Sequence, residues 1–450
     1  MNISGIRRFF APAPHIARLP EDEVKRLYPR FRWSVFESAF IGYGTFYLVR
    51  NNIGIVSKDM VGALGYTYSM IGNILAIAFI TYGLGKFFMG VISDRSNARK
   101  FMAFGLLLTA VFNILFGSVS NYPLHLFLWG LNGFVQGMGW PPCGRSIGHW
   151  FSVRERGKVF SAWNTSHNVG GGLAGILAAQ SALMFGWRNA FYFPAFISII
   201  GAVYLFFRLK DTPQSVGLPS IEEYKNDFTE DEKIHGTHEE EFSTKELFLN
   251  YALKNKYIWL LAIANFFAYI VRYSMLSWGC TYLRDIKNAT ITDGGWAILA
   301  LEFGGIPSTI LFGWLSDKFG GRRGMISVLC MFPIAAAFVG IILNPAGRLW
   351  FDMLMLIAIG FLIYPVINLI TIMALDLTGK KAIGTAAGFI GLFGYIASAA
   401  QATTFGWMAD YFTKQYNKEI AWNIILWSIV GCAVIAIILL GFTWKFKPKA

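Results

Sequence analysis

Tyr43, Tyr47 and Arg50 stand four and three residues apart in Gly42-Tyr-Gly-Thr-Phe-Tyr-Leu-Val-Arg50, an otherwise apolar run. On a helix this spacing puts two phenol hydroxyls and one guanidinium on a single face. The pattern returns far down the chain as Tyr269-Ile-Val-Arg272, at an offset of 222 residues (272−50 = 222). A guanidinium stays charged at any physiological pH and presents a planar fork that matches phosphate bidentately. Two such forks, each with tyrosine donors one turn away, are suited to holding a small phosphorylated anion or a dicarboxylate.

The elements that must position these residues are membrane helices. Of 450 residues, 55% are hydrophobic and only 14% charged, with a mean hydropathy of +0.48. Soluble domains carry roughly 25% charged residues. Apolar runs long enough to cross a bilayer recur along the chain, so an all-α polytopic membrane protein is expected. Twelve spans are read at about 34–56, 67–92, 101–118, 123–150, 159–183, 188–208, 256–282, 294–315, 324–343, 349–376, 382–411 and 421–444. They form a first bundle over 34–208 and a second over 256–444. A cytoplasmic segment over 1–33 precedes them, a hydrophilic linker over 209–255 joins them, and a tail over 445–450 follows. The linker is rich in Asp, Glu, Lys and Pro and lacks the apolar residues for a core of its own.

The formal charge of +13 is spread over short loops, which argues against a nucleic-acid partner. Arg7, Arg8, Arg18, Lys25, Arg26, Arg30 and Arg32 lie ahead of the first span. Alternate loops carry Arg95/Arg99/Lys100, Arg154/Arg156/Lys158, Lys318/Arg322/Arg323 and Lys380/Lys381, and the tail adds Lys445, Lys447 and Lys449. By the positive-inside rule both termini are cytoplasmic in a plasma (inner) membrane protein. The first 33 residues lack an apolar core typical of a cleavable signal, so the first span is expected to direct insertion. The four cysteines (Cys143, Cys280, Cys330, Cys432) lie in or beside spans without C-x-x-C spacing, so neither a disulfide nor a metal site is expected.

The halves repeat. Gly90-Val-Ile-Ser-Asp94-Arg95 recurs as Gly313-Trp-Leu-Ser-Asp317-Lys318 (317−94 = 223), and Pro142 matches Pro365 at the same offset (365−142 = 223). Gly157 pairs with Gly384 at nearly that offset. Two six-span bundles related by an axis along the membrane normal, with a substrate site between them, is the transporter arrangement this implies. Positive-inside topology explains the basic loop residues but not the recurring glycine and aspartate. The reading taken is a cytoplasmic gate of Asp94, Arg95, Asp317 and Lys318, in which the two aspartates pair with neighbouring basic groups or helix ends.

An arginine centred in a span costs at least about 2.5–3.5 kcal/mol and normally faces a cavity or a partner. Arg272 has no other charge between Lys256 and Arg284. Arg50 alone could snorkel to the outer surface, but its repeat mate is embedded, which places Arg50 on a central cavity as well. Lys86 shares a helix face with Tyr82, with snorkelling toward Asp94 as the alternative. His167, in Asn164-Thr-Ser-His-Asn-Val-Gly-Gly-Gly172, is followed by glycines that permit close backbone approach; it is read as donating to phosphate and sensing its protonation. Glu302, alone in its span, is read as the resting partner of an arginine.

The glycine–aspartate loops resemble those of the major facilitator superfamily. The longer motifs narrow this. Gly42-Tyr-x-x-x-Tyr-Leu-Val-Arg50, Tyr82-Gly-x-x-Lys86, Gln136-Gly-Met-Gly-Trp-Pro-Pro-Cys-Gly-Arg145, Trp163-Asn-x-x-His167-Asn-Val-Gly-Gly-Gly172, Asp211-Thr-Pro-Gln-Ser215 and Gly384-Thr-Ala-Ala-Gly-Phe389 resemble the organophosphate:phosphate antiporter family over nearly the whole chain. Trp140–Arg145 and the linker around Gly217-Leu-Pro-Ser220 resemble its glycerol 3-phosphate carriers in particular. The resemblance implies import of a phosphate ester, glycerol 3-phosphate first, in exchange for inorganic phosphate by a rocker-switch mechanism. Hexose 6-phosphate or phosphoglycerate exchange, or a transporter-like receptor for a phosphate ester, are the alternatives. It implies Arg50 and Arg272 as the phosphate clamp, with His167 and Lys86 as auxiliary groups. Tyr43, Tyr47, Tyr82, Tyr269, Tyr364 and Tyr395 become cavity-lining hydroxyls. Asn51, Ser277 and the Tyr364-Pro365 pair depart from the family pattern, leaving the clamp intact and the organic half of the substrate open. No cofactor is implied, and a monomer is expected to function. The spans offer no paired catalytic carboxylates, metal cluster or activated nucleophile, so an enzyme is not expected.

Overall fold

The computed structural model describes residues 9–227, 254–378 and 383–446. Lys380, Lys381, Lys447, Lys449 and most of the linker lie outside the described residues, as do the surroundings of Gly384. The N-terminal bundle comprises α1 (Glu21–Leu48), α2 (Asn52–Leu64), α3 (Tyr68–Asp94), α4 (Ala98–Ser118), α5 (Tyr122–Gln136), α6 (Trp140–Trp150), α7 (Val153–Asn164), α8 (Ser166–Phe185) and α9 (Asn189–Arg208). A short α10 (Ile221–Lys225) belongs to the linker. The C-terminal bundle is α11 (Lys256–Ile286), α12 (Ile291–Lys318), α13 (Arg323–Leu343), α14 (Leu349–Thr378), α15 (Ile383–Gln415) and α16 (Lys418–Gly441).

Among the described residues, ten helical stretches are long and apolar enough to cross a bilayer. The other two crossings are each broken in the middle, α1 with α2 and α5 with α6. The second break follows from Gly137-Met-Gly139 and from Pro141 and Pro142, which are tolerated in the first turn of α6 because their missing N–H groups would find no partner there anyway. The first break falls at Val49-Arg50-Asn51 and has a less local cause, described below. The chain is helical from Glu21, thirteen residues before the expected start of the first span. Glu21, Asp22 and Glu23 follow Pro20 and place negative charge at the N-terminus of α1, where the helix dipole favours it.

The two bundles meet chiefly where α3 packs on α15 and α8 on α12. Glycines let the backbones touch at one end of this seam. A Cβ on Gly72 of α3 would stand 2.4 Å from the Ala402 carbonyl oxygen of α15, and one on Gly295 of α12 would stand 2.8 Å from the Gly175 carbonyl oxygen of α8. At the other end of the same helices Gly90 and Gly313 face open space.

The sealed end is also closed by charge. Arg284 of α11 holds Asp59 of α2 with both terminal nitrogens, at 2.5 and 2.9 Å, while Lys58 reaches Asp285 at 2.9 Å. Asp285 accepts further bonds from the Tyr68 hydroxyl (2.8 Å) and the Trp422 indole (3.2 Å). Asp410 of α15 accepts the backbone N–H groups of Tyr68 and Ser69 at 3.0 and 2.7 Å, capping α3 across the bundle interface. At the opposite end, the described part of the linker is strapped to the N-terminal bundle. Asp211 accepts from Ala13 N, Ala98 N and Arg145 at 2.9, 3.0 and 3.0 Å, and Tyr224 stacks on Tyr28.

Candidate functional site

Arg50 and Arg272 both point into the core between the bundles, one from each half. The Arg50 guanidinium is sandwiched by the rings of Tyr47 (4.2 Å) and Tyr82 (4.4 Å). Arg272 lies over the rings of Tyr364 (4.4 Å), Tyr273 (5.0 Å) and Tyr269 (6.0 Å). Neither arginine has a carboxylate within ion-pair distance among the described residues, and the Arg272 Nε is buried with no hydrogen-bond partner. Tyrosine faces stabilise a guanidinium by cation–π attraction without cancelling its charge. The positive charge of both arms therefore remains available to an anion.

The remaining expected residues surround this pair. His167 lies between the halves, its ring 5.7 Å from that of Tyr47 on one side and 5.7 Å from that of Tyr364 on the other. Its Nδ1 is held by the Asn164 carbonyl, which can only accept. The proton therefore sits on Nδ1, and Nε2 is the atom presented to a ligand. Tyr43 packs on Tyr47 (5.5 Å) and Trp163 (5.0 Å), one turn farther from the clamp. Tyr82 and Tyr395 meet edge to face at 5.0 Å across α3 and α15, and the Tyr269 ring lies 6.3 Å from that of Tyr395. Lys86 is half-buried, with its ammonium 4.6 Å from the Trp140 ring and 5.9 Å from that of Tyr395.

Two spaces mark the path. A cavity of about 650 Å³ opens at the end bearing the Asp94 loop and is lined by Lys86, Gly90, Asp94, Trp140 and Arg145 among others. Beyond it a space of about 40 Å³ touches Arg50, Tyr82, Gln136, Tyr273, Ser277 and Tyr395. That is room for a few waters. Tyr82 and Tyr395 line the smaller space, and Lys86, one turn from Tyr82 on α3, lines the wider one.

Two expected charge pairings take another form. Glu302 makes no direct ion pair with an arginine among the described residues and meets Arg272 through Tyr364. Its Oε2 accepts from Asn168 Nδ2 at 3.0 Å and from the Tyr364 hydroxyl, and Tyr364 itself occupies the place beside Arg272. The carboxylate thus bridges the bundles through Asn168, while its Oε1 is buried without a partner. Of the expected gate residues Asp94, Arg95, Asp317 and Lys318, the aspartate of the second copy is paired with a neighbouring basic residue in this conformation. Asp317 pairs with Arg323 at 3.1 Å, and Arg323 with Asp376 at 2.6 Å, all inside the C-terminal bundle. Asp94 and Arg95 are exposed and make no ion pair among the described residues.

Three contributors were missed. Tyr273 follows Arg272 directly and lies four residues after Tyr269, so helical spacing alone could have found it. Asn168 sits beside His167 in a quoted motif. Gln136 opens another quoted motif, but a neutral residue at the end of an apolar run carries no charge to single it out.

The profile of the Major Facilitator Superfamily matches residues 39–402. The chain is 42% identical over 448 residues to a glycerol-3-phosphate transporter of Bacillus subtilis (strain 168), covering 98% of each. It is 37% identical to a probable hexose phosphate transport protein of Chlamydia trachomatis, again over 98% of each chain. Among solved structures it resembles a bacterial homologue of the human lysosomal transporter Spinster, with a TM-score of 0.73 over 92% of this chain and 97% of that one, at 15% identity that bears on the fold alone. With the twelve crossings, the two-bundle repeat and the paired arginines, these likenesses make the chain a member of the organophosphate:phosphate antiporter family of the major facilitator superfamily, a multi-pass membrane transporter and not an enzyme.

Proposed function

We propose that this protein imports a small phosphate ester, glycerol 3-phosphate first, in exchange for inorganic phosphate. The observation that carries the reading is the pair of guanidiniums contributed by opposite bundles, neither of them ion-paired among the described residues. Each fork can take two oxygens of one phosphate. Lys86, with its ammonium between the wide cavity and Tyr395, would draw the anion inward. The likeness to carriers of glycerol 3-phosphate and hexose phosphate supports the ester class.

The basic loops assign the open end to the cytoplasm and the Asp59–Arg284 end to the outside. The glycines support a rocking motion. Those at the sealed end are in backbone contact across the seam, and Gly90 and Gly313 at the open end are free to make the equivalent contact when the halves tilt. Closing the core over two like charges in a low-dielectric site is costly, and an anion bridging them removes that cost. The loaded protein therefore rocks faster than the empty one, which gives exchange instead of uniport.

The ester is assigned by competition. In vesicles exchanging labelled phosphate, glycerol 3-phosphate is expected to inhibit at concentrations about tenfold below those needed for glucose 6-phosphate or 3-phosphoglycerate, the scale of one lost or strained hydrogen bond to a charged group. Stronger inhibition by glucose 6-phosphate would reassign the organic half. Saturable binding of an ester with no flux would favour the receptor reading.

A further inference from the structure

The first crossing breaks at Arg50, and three side-chain amides from two other crossings hold the break open. Asn113 Nδ2 and Asn132 Nδ2 donate to the Val49 carbonyl at 3.0 and 3.2 Å. Gln136 Nε2 donates to the Phe46 carbonyl at 3.1 Å and to that of Val49 at 3.4 Å. In an unbroken helix the Phe46 carbonyl would accept from the backbone N–H of Arg50, which here turns back to the Tyr47 carbonyl at 3.3 Å. With both Nε2 protons committed to carbonyls, the orientation of the Gln136 amide is fixed by chemistry. Its Oε1 must face the other way, and it accepts from Arg50 Nε at 3.1 Å and Arg50 Nη2 at 3.0 Å. Gln136 is 1% exposed.

We propose that Gln136 is the positioning residue for Arg50, aiming the Nη1/Nη2 edge of its guanidinium at the anion while leaving its charge uncancelled. A guanidinium carries five N–H donors. Gln136 takes Nε–H and one hydrogen of Nη2, leaving three donors on the outer edge. The choice of a neutral amide is what makes this compatible with a ligand: a carboxylate in the same place would pair with Arg50 and compete with the anion. Arg272 has no such anchor, its Nε being buried and unbonded. The clamp is thus one arm pre-aimed by an amide at a helix break and one arm on a continuous helix packed among tyrosines, with its Nε unbonded. A static arm and an adjustable arm suit a site that must close on phosphate alone and on phosphate esters of different shape.

The inference rests on Arg50 being a phosphate arm, and the test separates the two. In reconstituted full-length protein, Gln136→Met is expected to raise KM for phosphate and for glycerol 3-phosphate together by about tenfold, with kcat little changed, because a hydrogen bond to a charged group is lost. Gln136→Glu keeps the acceptor, nearly preserves the shape and adds a competing charge, so its KM rises further. If Gln136→Met fails to fold, Gln136→Glu carries the test. An unchanged KM in Gln136→Glu or in folded Gln136→Met, with KM raised in Arg50→Ala, overturns the positioning role alone. An unchanged phosphate affinity in Arg50→Ala overturns the clamp reading beneath it.

Discussion

Arg272→Lys is expected to abolish exchange at unchanged expression, with uptake falling at least about a hundredfold. A lysine ammonium is a point charge on a flexible stem and cannot reproduce two parallel N–H bonds to one phosphate. The lost bonds to a charged ligand are worth about 3 kcal/mol, and each 1.36 kcal/mol is a factor of ten in rate. The geometry sharpens the expectation. Arg272 lies over the rings of Tyr364, Tyr273 and Tyr269, and cation–π contact with several rings at once favours a broad guanidinium over a compact ammonium. Counting uptake of labelled phosphate into phosphate-loaded vesicles decides it. Transport near the parent rate would remove Arg272 from the site.

The second large effect lies at the sealed end. The Asp285 side chain is fully buried, yet Lys58, Lys418, Tyr68 and Trp422 all converge on it. Asp285→Asn keeps the shape and removes the charge. Because both lysines are more than a third exposed, solvent screens part of the loss, and about 1–3 kcal/mol of the sealing energy is expected to go. That shifts the balance toward the conformation open on this side by about tenfold to a hundredfold. Cys280 reports it. Its thiol is buried against the Ile55 carbonyl of the opposite bundle at 3.4 Å and is covered while that end is shut. With the other three cysteines replaced by alanine, an impermeant thiol reagent added outside should label Asp285→Asn at least about tenfold faster than the parent. Equal labelling rates would mean that the ion pairs at this end do not hold it closed.

Much of this architecture could be read from the chain because it repeats. The offset shared by Arg50 with Arg272 and by Asp94 with Asp317 identifies two bundles, and membrane burial of charge singles out the arginines. What could not be read depends on contacts between distant segments. The break at Arg50 has no proline and no glycine beside it; its causes are Asn113, Asn132 and Gln136, which look like ordinary polar residues in their own spans. Glu302 was assigned to an arginine because opposite charges attract, but a tyrosine hydroxyl and an amide reach it first. The gate residues recur in sequence, yet the two copies have different surroundings: Asp317 finds Arg323 within its own bundle, whereas Asp94 faces the wide cavity. The lock at the sealed end was missed because Lys58-Asp59 and Arg284-Asp285 are each self-neutral pairs, and only the meeting of α2 with α11 turns them into a cross-linked set.

The most direct measurement compares uptake of labelled glycerol 3-phosphate into otherwise identical vesicles that contain inorganic phosphate or contain none. An anion-bridged clamp makes the loaded protein the one that crosses the membrane, so uptake into phosphate-loaded vesicles should exceed uptake into empty ones by at least about tenfold, the like-charge cost in a low-dielectric core being several kcal/mol. Equal uptake into both would contradict exchange and, with it, the two-armed clamp as the reason for it.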